Sequence, residues 1–130
     1  MDYYRYLHAA AAGQTSEASA LLGSVIDRID AFPAGTHGGF YLEEAFFRAH
    51  HQRDLPAAEA ALAKFEPGPM VEQLGIHLAN AAIADLKGDY SALAVELPGI
   101  EKGLPRTVDQ SAVPQIRQWV KDWSAKTATA

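Results

Sequence analysis

Apolar positions recur at intervals of three and four along this chain, the period of an amphipathic helix, and no stretch alternates apolar with polar over five or six residues as a half-buried strand would. Asp2 can cap a first helix carrying Tyr3, Tyr6, Leu7 and Ala10, and Gly13 closes it in the favoured manner. Ala18, Leu21, Leu22, Val25, Ile26 and Ile29 form the stripe of a second helix, with Thr15 or Ser16 as its cap and Pro33 and Gly35 beyond its end. Ala34 to Gly39, with three glycines, predicts a linker. A helix from Phe40 to Gln52 follows, with Leu42, Ala45, Phe46 and Ala49 on one face and Phe40 and Phe47 on another. The turn Arg53-Asp54-Leu55-Pro56 leads into the spacing Leu55, Ala58, Leu62, Phe65, which Glu66-Pro67-Gly68-Pro69 stops.

Met70 to Lys87 predicts the longest helix. Leu74, Leu78 and Ala81 lie on one side of it and Ile76, Ala79, Ile83 and Leu86 on another, so it has neighbours on both. After Gly88-Asp89, the stripe Tyr90, Leu93, Leu97, Ile100 makes a further helix that Pro98 should kink or interrupt and that Gly103 and Pro105 finish. Ser111 can cap a last helix on which Val113, Ile116, Val120 and Trp123 share one side and Trp119 flanks it; from Ser124 onward a frayed tail is expected. The fold class is therefore all-α: one domain over residues 1–130, made of stacked antiparallel hairpins (2–31, 40–66 and 70–104) and a C-terminal capping helix (112–124).

Composition narrows the function classes. Alanine, the best helix former, supplies 25 of 130 residues, and 48% hydrophobic with 21% charged residues describes an ordinary globular chain. No apolar run approaches membrane-spanning length and no basic-then-apolar leader opens the chain, so neither direct membrane insertion nor export is expected and a cytoplasmic location is. The absence of cysteine excludes disulfides, thiolate nucleophiles and Cys-ligated zinc. A net charge of -5 opposes binding to nucleic acid, and Arg5 alone accompanies the aromatic cluster Tyr3, Tyr4, Tyr6.

Candidate chemistry is sparse. The glycines of residues 35–39 lack both the Lys-Ser/Thr pair of a phosphate loop and the preceding strand of a dinucleotide fingerprint. Adjacent side chains on a helix diverge by about 100°, so His50 and His51 do not chelate one ion together. His77 has no partner base or nucleophile in the sequence, and Glu43-Glu44 are consecutive acids on one helix. No catalytic residue, metal site or cofactor is expected. A Trp119–Trp123 pair four residues apart suits the sealing of an end face better than a binding hot spot.

The three turns, at Gly13-Gln14-Thr15, Arg53-Asp54-Leu55 and Gly88-Asp89-Tyr90, lie 40 and then 35 residues apart. Gly88, Asp89 and Tyr90, with Leu97 at the large apolar position and Pro105 at the terminating one, resemble the turn and second helix of a tetratricopeptide repeat. Leu93 stands where that family has Ala. Ala58 and Leu62 match in the second unit, and Gly13, Ala18 and Leu22 in the first, whereas the early Trp and Leu-Gly of the family pattern are missing from all three. The resemblance covers residues 2–105 and implies a superhelix whose first helices line a concave face, with a protein or peptide as partner. Aligned on its turns, it places Tyr3, Leu7, Glu43, Phe47, His50, His51, Leu78 and Asp85 in the groove. Phe47 is then either covered by a neighbouring helix or offered to a ligand. The stretch from Tyr41 to His50 with Arg53 to Ala58 also resembles helical-repeat tails of site-2-protease-type membrane metalloproteases, which implies an accessory tail as an alternative to a free-standing binding module. A helical enzyme or metal-binding protein is the remaining class.

Overall fold

A computed structural model describes residues 2–68, 71–107 and 110–128. Among them the chain forms seven α-helices: α1 (Asp2–Ala11), α2 (Thr15–Asp27), α3 (His37–His50), α4 (Leu55–Ala63), α5 (Gln73–Lys87), α6 (Tyr90–Gly103) and α7 (Val113–Ala128). Strands are absent among the described residues, as the periodicity predicts.

Consecutive helices pair as hairpins. Asp2 at the start of α1 accepts a hydrogen bond from Ser24 Oγ near the end of α2 (2.9 Å), and His77 Nδ1 on α5 lies 3.1 Å from Glu96 Oε2 on the antiparallel α6. Alternate helices run the same way. Tyr3 meets Phe40 and Tyr6 meets Phe47, so α1 and α3 ascend together; Leu42 lies against Gly75, and Arg53 reaches Asp85, so α3 and α5 do too. Alanine explains how closely these helices approach. Ala45, Ala49, Ala79 and Ala82 are all buried, and their small side chains let α3 and α5 pack along much of their length.

The three hairpin turns are built alike. Gly13 (φ 75°), Arg53 (φ 55°) and Gly88 (φ 71°) each adopt the left-handed conformation that ends a helix. At the glycine turns the next amide closes the helix end, Gln14 N–H on Ala9 O and Asp89 N–H on Ala84 O. Arg53, which carries a Cβ, sits in a wider turn closed by Asp54 N–H on Arg48 O. The following helices then start on equivalent caps 35 residues apart: Asp54 accepts from Ala57 N–H and Asp89 from Ala92 N–H, both at 3.2 Å.

Several boundaries differ from the sequence expectation. The glycine stretch is no linker: residues 34–36 form a 3-10 turn and α3 begins at His37, three residues before Phe40. Gly38 is buried with the Glu66 carbonyl only 2.8 Å from where a Cβ would stand, so the glycine permits close packing of α3 on the segment that follows α4. Gln14, not Thr15 or Ser16, occupies the cap position of α2, without a side-chain bond. Helix α6 passes through Pro98 uninterrupted, and Gly99 beside it gives room to the His77 ring, which a Cβ there would strike. Pro69 and Met70, expected to end one helix and start the next, lie outside the described residues, and α5 starts at Gln73. Toward the C-terminus a 3-10 turn at Gln110–Ala112 precedes α7, which continues to Ala128 where fraying was expected.

Candidate functional site

Three parallel helices, α1, α3 and α5, carry seven of the eight residues expected to line a groove, His51 following directly on the end of α3, and the structure sorts the eight into three environments. Tyr3 and Leu7 are half-buried on α1, packed with the cluster formed by Tyr6, Ala9, Ala18, Leu22 and Phe47. Phe47 is 0% exposed and stands edge-on to Tyr6 at 5.6 Å between ring centroids. Covered by α1 and α2, it is core rather than a surface anchor, which corrects its placement in an open groove. The second apolar face of α3 exists because the first hairpin needs something to sit on.

Glu43 accepts the phenolic O–H of Tyr6. Burial first, and then the carboxylate charge of Glu43, hold that phenol well above its ordinary pKa. Arg48, one turn further on, donates through Nη1 to Ser19 Oγ and Gln52 Oε1, both at 2.7 Å, and pairs with Glu44 at 3.6 Å. This tie from α3 to α2 was not foreseen, although Glu44 and Arg48 have the four-residue spacing of a helical ion pair.

His50, His51 and Asp85 meet α7. Phe46, His50 and His51 form an aromatic group with Trp119, whose ring centroid lies 4.8 Å from Phe46, 4.9 Å from His50 and 6.4 Å from His51. Trp123, 2% exposed, closes on His50 at 6.0 Å. Leu78 packs against the same core, which includes Ile116, Val120 and Trp123 of α7. Two turns beyond Leu78 on α5, Asp85 is 6% exposed and receives Lys126 Nζ on Oδ1 at 2.7 Å and Arg53 Nη1 on Oδ2 at 3.3 Å. Burial pushes the Asp85 carboxyl up; the hydrogen bond and charge of Lys126, then those of Arg53, outweigh it and leave the group below the usual carboxylate value.

The expected groove is thus occupied in part by the chain's own last helix. Sequence reasoning placed Trp119 and Trp123 at an end cap, which the burial of Trp123 fits, but it missed Lys126 and Arg53 as the counter-charges of Asp85. The signal was the isolated acid on an otherwise apolar run, Ala81 to Leu86, since a buried carboxylate needs partners. Among the described residues no three His, Asp or Glu side chains converge to hold a metal ion, and no helix is long and apolar enough to cross a membrane. No family model, curated protein or solved structure matches this chain.

His50 makes this contact sensitive to acid. Among the described residues its Nδ1 is buried without a hydrogen-bond partner, and its pKa is lowered to about 4, by burial first and then by the neighbouring His51; Asp85 pulls the other way, while Arg53 and Lys126 add to the lowering. Burial lowers His51 as well. The unfolded chain takes up a proton at His50 near pH 6.5 that the folded chain declines until about pH 4. The stability His50 contributes is therefore complete above pH 6.5 and is lost as pH falls to 4, by about 3 kcal/mol. Asp85 loses its own contribution only below its ordinary carboxylate value. Urea unfolding followed at several pH values, with the two α7 tryptophans as probes, should show this decline, and His50→Phe should make it shallower, leaving the part that His51 contributes.

Proposed function

We propose that this protein is a non-enzymatic protein- or peptide-binding module, a short tetratricopeptide-like array whose binding surface is the face shared by α1, α3 and α5. Support for the array comes from the three left-handed hairpin turns, the equivalent caps at Asp54 and Asp89, and the common direction of α1, α3 and α5. The observation that carries the binding role is the seat of α7. A helix presenting Trp119, Trp123 and Lys126 rests on His50, His51 and Asp85, so this face has the aromatic and charged groups to hold an amphipathic helix. Tyr3, Leu7 and Glu43 continue the same face toward α1, beyond the part that α7 fills, and a partner would dock there beside α7.

The test is capture by the intact chain, with cross-linking and mass spectrometry to locate the contact. Cross-links to a retained protein should map to α1 and the first half of α3, and Leu7→Glu, provided circular dichroism shows its helix content unchanged, should reduce retention about tenfold or more. Cross-links confined to other surfaces would end the assignment.

A further inference from the structure

On the side of α5 away from Leu78 and Asp85, a groove of about 480 Å³ opens between α4, α5 and α6. Leu62, Ile83, Ala84 and Ala92 supply its apolar wall. Its charge is one-sided. Glu59, Asp89 and Glu96 border it against a single cation, Lys87, which already lies 3.1 Å from Glu59 with both side chains about half exposed. Two of the carboxylates have fixed positions, Asp89 as the cap of α6 and Glu96 through His77, so the negative rim is built into the fold and does not depend on flexible side chains. Asn80, also in the wall, makes no side-chain hydrogen bond among the described residues and brings an amide that can both donate to and accept from a peptide main chain.

We infer that this groove is a second docking surface, for a basic segment of a protein partner in which an aliphatic side chain is flanked by Lys or Arg. The aliphatic group fills the space over Leu62 and Ile83, the flanking cations face Glu59 and Glu96, and the Asn80 amide pairs with the backbone. An acidic or purely apolar segment would leave the rim uncompensated, and the net charge of -5 steers basic segments toward the protein generally. This surface is separate from the face of α1, α3 and α5, and it stands whether or not that face binds a partner.

The experiment titrates the full-length, nitrogen-15-labelled chain with a capped peptide Lys-Arg-Leu-Leu-Arg-Lys and with its counterpart in which every base is replaced by Glu. Saturable amide shifts are expected at Ala63, Asn80, Ala84 and Ala92 with the basic peptide and none with the acidic one. Glu59→Lys should weaken binding about fivefold or more, as should raising salt from about 0.05 to about 0.5 M. Ala92→Arg, on an exposed position of α6, should block the groove with the fold intact by circular dichroism. The inference is overturned if the basic peptide produces no saturable shifts, if the shifts centre on Trp119 and His51, if the acidic peptide binds equally, or if Glu59→Lys and Ala92→Arg both bind like the parent.

Discussion

Phe47→Ala is expected to destabilise the protein by about 3–5 kcal/mol, the cost of a large core aromatic cut to a methyl group. Phe47 is wholly buried and is the residue of α3 that joins the cluster of Tyr6, Ala9, Ala18 and Leu22 from the first hairpin. The backbones of α2 and α3 approach each other at few points, so side chains do the fastening: Phe47 in this cluster, Phe40 against Tyr3 and Phe32, the Tyr6–Glu43 hydrogen bond and the Arg48–Ser19 bond. A loss of that size is a large part of the 5–15 kcal/mol that a domain has in hand. Denaturant titration should show the midpoint falling, with the first hairpin melting early and the remainder later. Glu43→Gln keeps a hydrogen-bond acceptor for Tyr6 and should cost far less. A Phe47→Ala chain within about 1 kcal/mol of the parent would mean that the ring is not holding the hairpin.

How far the architecture could be read from the residues depends on what each signal encodes. Helical periodicity reports burial on one stripe, and it located every helix here because each one buries such a stripe, from Leu22 and Val25 on α2 to Ile116, Val120 and Trp123 on α7. Gly13 and Gly88 marked turns through their backbone freedom, a local property, and Asp2 could be read as a cap from its side chain alone. Gly38 misled because glycine is equally the residue of close approach: nothing local distinguishes a linker from a helix start pressed against the Glu66 carbonyl. Phe47 was ambiguous for the same reason. A second apolar face on α3 requires a cover, and the pattern of α3 alone does not say whether that cover is α1 or a ligand. His50, His51 and Asp85 were placed on one face by the repeat spacing, but their partners, Trp119, Trp123 and Lys126, lie on a helix whose seat is decided by tertiary packing.

Removing α7 by ending the chain after Gln110 should have the largest effect of any change considered. Ile116, Val120 and Trp123 are buried in the cluster that also holds Leu93, Ile100 and Leu104, and each contributes about 1.5–3 kcal/mol by leaving water. Their loss exposes the apolar surface of α5 and α6. It also strips Asp85 of Lys126, its shorter ion pair, and leaves Arg53 as the remaining cation beside it. The combined cost, about 5–8 kcal/mol, rivals the whole stability of a domain of this size. The truncated chain should therefore lose its cooperative thermal transition and associate through the uncovered face, seen as reduced helical signal and early elution on size exclusion. Trp123→Ala in the full chain separates the packing term from the rest, since it keeps Lys126 on Asp85 and should cost about 3–5 kcal/mol by itself. A truncated chain that stayed monomeric and kept its melting temperature would show that α7 rests on the hairpins without supporting them.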